Sequence, residues 1–349
     1  MRILLLSPLP PPAGGMAMWT KQYIGYMKRY NAIDVVNTGV IGKRSLKYSE
    51  RHMSEEIKRS LLILAKTLKL LMTKQYDIVH FNTSCSGSGL IRDYYLMRMI
   101  HIFNKKIILH CHCNLNYALH SEIQKKYFRR MLAVSKKCIT LNSASARFVE
   151  DNCSIKTLTV PNFIDDSYNA VLKNEKATAP EIKRVLYVGH LLHTKGCDNI
   201  IRTAKKFPDI EFRLVGHVFK EIAEMPRTKN VVLTGELDRK GVDAEYRQAD
   251  IMLFPTHTEG FPLVVVEAMA YGLPFITTKV GAIEDILEDK GAVYVPVDDD
   301  DAIESALKSL IYNVDRRRQM SCFNRAKVKE HYLIDTVLDN MQQIYEENL

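Results

Sequence analysis

Two glutamates, Glu259 and Glu267, stand with seven residues between them in "HTEGFPLVVVEAMAYG". Carboxylates accept hydrogen bonds from hydroxyl groups, so each could hold a polyol. Between them, Pro262 has no N–H to leave unsatisfied and suits the first turn of a helix. The N–H groups of that turn offer a place for an anion. Glu267 falls about one and a half turns into the helix, at 3.6 residues per turn. A ligand with phosphate in its middle and hydroxyl-rich groups at both ends fits, which describes a nucleotide sugar. A carboxylate inside "VVVEAMA" is costly to bury without a partner. That cost favours a binding role over a helix-flanking charge.

Other residues could join this chemistry. In "VLYVGHLLHTKGCDNII" (185–201) a strand ends at Gly189, a short loop carries Lys195-Gly196, and a helix follows. Lys195 at such a mouth is placed to meet phosphate, although a solvated lysine would look the same in isolation. Neither a GxGxxG fingerprint nor a GxxxxGK[ST] loop follows any strand. "HCHC" (110–113) suggests zinc at first sight. On a strand, however, His110 and His112 share one face and Cys111 and Cys113 the other, whereas zinc needs about four converging ligands. "DDDD" (298–301) precedes a helical pattern, and acidic residues at a helix N-terminus account for it.

The elements that must position these residues come in two series. "RILLLS" (2–7), "DIVHFN" (77–82), "KIILHCH" (106–112), "CITLNS" (138–143) and "LTVPN" (158–162) read as strands separated by helical segments. The pattern restarts with "RVLYVGH" (184–190), "EFRLVGH" (211–217), "VVLTGE" (231–236), "IMLFPT" (251–256), "FITTKV" (275–280) and "AVYVP" (292–296). Strands alternating with helices indicate parallel βαβ units. The 349 residues, 46% of them apolar, suit two such domains. The fold class expected is α/β, two Rossmann-like domains facing across a cleft: 1–170, then a polar linker over 171–183, then 184–330. A last helix in 331–349 is expected to pack back toward the first domain.

With those elements placed, the sequence resembles the GT-B retaining glycosyltransferases of family 4. "EGFPLVVVEAMAYGLPFITTKVGAIEDIL" carries the E-x7-E signature, and "GHLLHTKG" resembles the family's phosphate element. "PPAGGMAMWTKQYI" resembles its N-terminal Gly-Gly loop, "IILHCH" its strand ending in a functional His, and "VPNFID" its V-P-N-G-[IV]-D stretch. The resemblance covers nearly the whole chain. It implies that Glu259 contacts the donor sugar and Glu267 the ribose hydroxyls. It implies that Gly260, Phe261, Pro262 and Leu263 line phosphate and sugar, and that Lys195 and Gly189 lie at the diphosphate. Gly14 and Gly15 would approach the donor phosphates, and His112 the reacting carbon. His190 stands where the family usually has Arg. An unperturbed His titrates at about 6.5, so it is a weaker and pH-dependent phosphate partner. Cys113 replaces the usual Gly or Asp. The reaction implied is metal-independent transfer with retained anomeric configuration, with the nucleoside-diphosphate sugar as substrate and no cofactor. Family habit favours a UDP-linked hexose or N-acetylhexosamine.

Charge adds a partner. Residues 1–170 carry 25 Lys and Arg against 11 Asp and Glu, a net +14, while the rest carries −5. "SEIQKKYFRRMLAVSKK" (121–137) could lie on an anionic membrane as a basic amphipathic helix. The same reading applies less well to the helical pattern of 58–74, where an ordinary half-buried helix is favoured. A glycan or lipid-linked acceptor in bacterial surface polysaccharide or lipopolysaccharide synthesis fits such a surface. No recognition motif points to nucleic acid. Seven cysteines without a CxxC pair read as reduced thiols of a cytoplasmic protein, with peripheral contact to the inner face of the plasma membrane. Two alternatives share the fold: a nucleotide-sugar 2-epimerase, and a nucleotide-sugar-binding protein without activity.

Overall fold

Residues 1–11, 14–39, 53–85, 87–153, 156–174 and 177–349 are described in a computed structural model. They form two compact units, Met1–Phe163 with Ile334–Leu349, and Ile164–Leu333.

The first unit holds strands β1 (Arg2–Ser7), β2 (Ala32–Asn37), β3 (Ile78–Thr83), β4 (Lys106–Cys111), β5 (Lys137–Thr140) and β6 (Leu158–Thr159). Its helices are α1 (Gly15–Met27), α2 (Met53–Thr73), α3 (Gly87–Ile102), α4 (Leu115–Ala118), α5 (Glu122–Ala133) and α6 (Ser143–Cys153). The sheet is parallel, in the order β2-β1-β3-β4-β5-β6. Its strands are apolar on both faces because helices cover both. Leu4, Leu6, Val79, Phe81, Ile107 and Leu109 pack toward residues of α2, α3 and α5. Ile3, Leu5, Ile78, Ile108 and Ile139 pack on the other side, with Trp19 and Tyr23 of α1.

The second unit holds α7 (Tyr168–Lys173), β7 (Arg184–Val188), α8 (Cys197–Ala204), β8 (Glu211–Val215), α9 (Lys220–Ala223) and β9 (Val231–Gly235). It continues with α10 (Arg239–Gln248), β10 (Ile251–Phe254), α11 (Leu263–Ala270), β11 (Phe275–Thr277), α12 (Ile283–Gly291), β12 (Ala292–Tyr294), α13 (Asp300–Ile311) and α14 (Val314–His331). Its parallel sheet runs β12-β11-β10-β7-β8-β9. The last helix, α15 (Ile334–Glu346), belongs to the first unit. There it packs on α1, with Tyr26 donating to Asp339 at 2.9 Å and Asn31 to Gln342 at 2.8 Å.

Three readings need correction. The strand β2 was not among those expected, since Asp34 interrupts its short apolar run. The carboxylate is served in the fold by Lys74 at 2.7 Å and Tyr76 at 2.9 Å, which also hold its pKa below the usual range. The polar stretch 171–183 is not a separate linker: the change of unit falls at Phe163–Ile164, and α7 packs on α11 and α14. Buried Arg317 fixes the end of the stretch, donating to the carbonyls of Ala179 (2.6 Å) and Pro180 (2.9 Å). Finally, 121–137 is not one helix. It is capped at Ser121, ends at Ala133, and Lys137 already lies in β5. Phe128 and Met131 of α5 are buried in the core, whereas α2 leaves Ile57, Leu61, Leu62 and Met72 more than half exposed. Ile123 of α5 is also more than half exposed, so α2 leaves more large apolar side chains open than α5 does. No described helix is long and apolar enough to cross a membrane.

Candidate active site

In the second sheet β7 and β10 are parallel neighbours, pairing Val185 with Ile251 and Leu186 with Met252. The chain leaves them in opposite directions, from β7 toward β8 and from β10 toward β11. Two loops thus diverge at their carboxyl ends, which is where open α/β sheets bind ligands. One is 189–196, the other 255–262. The residues between them, 197–254, bring these loops together and are not visible in either loop's own sequence.

The loops are bound to each other. His257 N–H donates to the Thr194 carbonyl at 3.1 Å. Gly196, at φ +69°, has its Cα so near Pro255 that a Cβ would lie 2.2 Å from that residue's carbonyl oxygen. Behind the second loop, a Cβ on Gly281 (φ +58°) would lie 2.0 Å from the Glu259 carbonyl oxygen. Both positions demand glycine on two grounds, conformation and space. The Ala282 N–H then donates to Gly260 O at 3.0 Å, and the His257 ring meets Asp298 at 3.0 Å.

This clamping sets Lys195 against Glu259. Lys195 Nζ lies 2.6 Å from Glu259 Oε1 and donates to the Thr258 carbonyl at 2.9 Å. Their side chains are 23% and 16% exposed. Burial pushes the Glu259 carboxyl up, opposed by the Lys195 ammonium and by a hydrogen bond from Thr256. An ammonium and a carboxylate in contact, with a little surface open, can each turn to a ligand: the ammonium to an anion, the carboxylate to a hydroxyl.

Glu267 sits in α11, whose first turn begins at Leu263 after Pro262. Tyr246 of α10 donates to Glu267 Oε2 at 3.2 Å. Burial raises this carboxyl too, and the Arg239 charge is the largest opposing influence. Arg239 lies over the Tyr168 ring at 4.6 Å and 3.6 Å from Asp165, the aspartate of "VPNFID". Gly260, Phe261, Pro262 and Leu263 form the turn between the two glutamates, with Phe261 and Pro262 buried. Gly189 starts the other loop. His190 follows it, exposed, its ring 6.0 Å from Phe219 and 6.4 Å from His217.

The remaining expected residues lie in the first unit. His112 follows β4 directly, its ring 4.0 Å from that of His110 and edge-on to Trp19 at 4.8 Å. Burial depresses His112 to about 3 and His110 well below the usual range, so both are neutral at physiological pH. Gly14 and Gly15 precede Trp19 by about one turn of α1. Neither has a left-handed φ, and a Cβ on either meets nothing within 4 Å. Folding alone therefore does not require glycine there. As for "DDDD", Asp299 caps α13 through the Ala302 N–H at 2.8 Å, and Asp300 holds Asn199 and Arg202.

Reading by sequence missed several contributors: Thr258 through its carbonyl, Gly196 and Gly281 through their lack of a side chain, and Arg239, Tyr168 and Tyr246 around Glu267. "GAIEDIL" carried Gly281 in plain view. Arg239 and the tyrosines had no local signal.

Known proteins resemble this chain in sequence and in fold. Residues 170–327 match the family described as glycosyl transferases group 1. The match contains Lys195, Glu259 and Glu267. Among relatives, an uncharacterised 41.2 kDa protein in the cps region of Klebsiella pneumoniae is 28% identical over 65% of this chain and 66% of its own length. The capsular polysaccharide biosynthesis glycosyltransferase CapM of Staphylococcus aureus is 24% identical over 69% of this chain and 63% of its own. In fold, the chain is similar to sucrose-phosphate synthase from Thermosynechococcus elongatus (TM-score 0.78, 16% identity, 99% and 98% of the two chains). It is similar also to Anabaena HepE in complex with UDP (TM-score 0.74, 14% identity, 99% and 100%). The fold is that of the GT-B glycosyltransferases.

Proposed function

We propose that this protein is a retaining glycosyltransferase of family 4, moving a sugar from a UDP-linked donor to a glycan or lipid-linked acceptor in bacterial surface polysaccharide synthesis. The observation that carries the reading is the Lys195–Glu259 pair at the β7/β10 switch point, inside the stretch that matches glycosyl transferases group 1. The relatives in the cps region and in capsular polysaccharide biosynthesis support the process, and a UDP complex among proteins of like fold supports the nucleotide.

On this reading the donor diphosphate takes the Lys195 ammonium and the N-terminal turn of α11, while Glu259 turns to the sugar hydroxyls. Both changes favour the transition state, because charge grows on the departing diphosphate where a fixed cation and N–H groups already stand. Glu267 holds the ribose hydroxyls, and Tyr246 and Arg239 keep its carboxylate oriented. His190 and Gly189 lie along the diphosphate side; Gly14, Gly15 and His112 of the first unit keep the roles that the resemblance gives them. No step uses a metal. The exposed apolar row of α2, with Lys125, Lys126, Arg129 and Arg130 of α5, is the surface offered to an anionic membrane.

The test is incubation of the whole chain with a panel of nucleotide sugars and a membrane lipid extract, following nucleoside diphosphate and the anomeric configuration of the product. Acceptor-dependent release with retention is expected. Epimerised donor without release would point to an epimerase, and binding without turnover to an inactive relative.

A further inference from the structure

The carboxyl ends of β1, β3 and β4 in the first unit carry a buried polar cluster that the reaction just described does not use. Tyr23 and Tyr345 share a hydrogen bond at 2.7 Å. Tyr345 meets His80 Nδ1, and His80 Nε2 lies 2.8 Å from Asn82 Oδ1. Asn82 Nδ2 is 2.9 Å from Ser7 Oγ, which is 2.5 Å from Thr20 Oγ1. Thr20 Oγ1 reaches the Met16 carbonyl at 2.8 Å. All six of these side chains are buried.

Proton counting gives this chain one direction. The Met16 carbonyl only accepts, so the Thr20 hydroxyl hydrogen goes to it. The hydrogen between Ser7 and Thr20 must then come from Ser7. Ser7 therefore takes its other contact from the Asn82 amide N–H, which turns the amide oxygen to His80. An oxygen facing Nε2 requires the hydrogen there. Nδ1 of His80 is thus bare and accepts from Tyr345, which accepts in turn from Tyr23. The same His80 Nε2–H lies 3.2 Å from His110 Nδ1. Two N–H groups cannot face each other, so His110 carries its hydrogen on Nε2. That donor is buried and has no partner among the described residues, and its ring lies against that of His112.

We propose that His80 and His110 are positioning residues for His112, held as Nε2–H tautomers by a one-way hydrogen-bond chain running from Tyr23 to the Met16 carbonyl. The donor to His80 comes from the C-terminal helix: Tyr345 lies 265 positions from His80. The neutral state agrees with burial, which depresses His80 to about 4. The groups facing the three imidazoles are Tyr23, Tyr345, Asn82 and Trp19, none of them charged at neutral pH. The role of His112 rests on the glycosyltransferase reading; the direction of the chain does not.

The experiment is nitrogen NMR of the full chain labelled in histidine, between pH 6 and pH 8, beside transfer kinetics of a Tyr345→Phe variant. His80 and His110 are expected as neutral Nε2–H tautomers. Tyr345→Phe should shift the His80 Nδ1 resonance toward that of an unbonded nitrogen, and should lower kcat about tenfold with the KM for nucleotide sugar unchanged. An Nδ1–H or doubly protonated His80 in the wild type overturns the chain, and needs neither a variant nor activity to see. Ser7→Ala, which cuts the chain beyond Asn82, should give a mixture of His80 tautomers; a single unchanged tautomer would overturn the assigned direction. The expected tautomer with full kcat in Tyr345→Phe would overturn the positioning role. An inactive wild type with Nε2–H His80 would count against glycosyl transfer, and so against positioning for it, while leaving the chain's direction supported.

Discussion

The two sheets follow one rule and fill it with opposite chemistry. In each, the strand order reverses about a central pair, β1 with β3 and β7 with β10. At the first reversal stand Ser7, Asn82, His80 and His110, neutral and sealed from water. At the second stand Lys195 and Glu259, charged and partly open. A neutral network holds shape because each hydrogen along its chain, from Tyr23 to the Met16 carbonyl, is committed, and moving one group strands the next. A charged pair holds ligand because each partner can exchange the other for a stronger one. The first kind of site is suited to positioning, the second to binding charge that develops during reaction.

Removing a charge should have the largest effect. Lys195→Ala deletes the cation at the diphosphate and leaves Glu259 buried without its partner. Transfer should fall about 10²–10³-fold, the range for loss of one group that stabilises a developing anion. Glu259→Ala should fall comparably through the sugar. Nucleoside diphosphate release by variants with unchanged circular dichroism measures both. Wild-type rates from either would remove the second reversal as the site of chemistry. The neutral network should respond less, by the tenfold argued for Tyr345→Phe.

The backbone beneath the pair gives the next effect. Gly281→Ala places a methyl 2.0 Å from the Glu259 carbonyl oxygen at a left-handed φ. It should destabilise the second unit by about 1–3 kcal/mol and lower transfer with it, because the loop that sets Glu259 against Lys195 must move. The midpoint of urea unfolding, read beside kcat, checks this. An unchanged midpoint would mean that the loop does not depend on Gly281.

These cases mark what could be read from sequence. Glu259 and Glu267 were legible because the whole unit lies in one short stretch, and a carboxylate within "VVVEAMA" needs explaining. The strand, loop and helix around Lys195 were legible, but a solvated lysine would have looked the same, and only the resemblance gave it a role. The contact of Lys195 with Glu259 was not legible, since it depends on β7 lying beside β10. Strand β2 was missed because the partners of Asp34, Lys74 and Tyr76, lie about 40 residues away. The chain through His80 was unreadable for the same reason, with Tyr345 supplied by the last helix. How much apolar surface each basic helix leaves open was not legible, because periodicity shows that a helix has an apolar face and not whether anything covers it.

Glu267 gives a smaller effect, and of mixed sign. Burial raises its carboxyl above the ordinary value of 4.5. The native state therefore holds this proton more firmly than the unfolded chain does. Stability associated with it is complete below about 4.5 and is lost as pH rises through the raised native value. Above that value the ionised carboxylate is a cost that the protein retains for binding. Glu267→Gln should raise stability at pH 7.5, change little at pH 4, and weaken nucleotide binding. Thermal unfolding at both pH values with a UDP titration checks it. Greater stability without weaker binding would separate Glu267 from the ribose.

The smallest effect on folding is expected at Gly15, and it is the sharpest contrast with Gly281. Gly15 is the first residue of α1, its φ is not left-handed, and a Cβ there meets nothing within 4 Å. Alanine is the better helix former by up to about 1 kcal/mol. Gly15→Ala should therefore leave the unfolding midpoint equal or slightly higher. If the space beside it is kept open for donor phosphate, the KM for nucleotide sugar should rise several-fold in the same variant. A glycine whose replacement helps the fold and harms the reaction is held by the ligand; one whose replacement harms both, as at Gly281, is held by the loop. An unchanged KM in Gly15→Ala would place the donor away from this turn and leave the first unit with the neutral network alone.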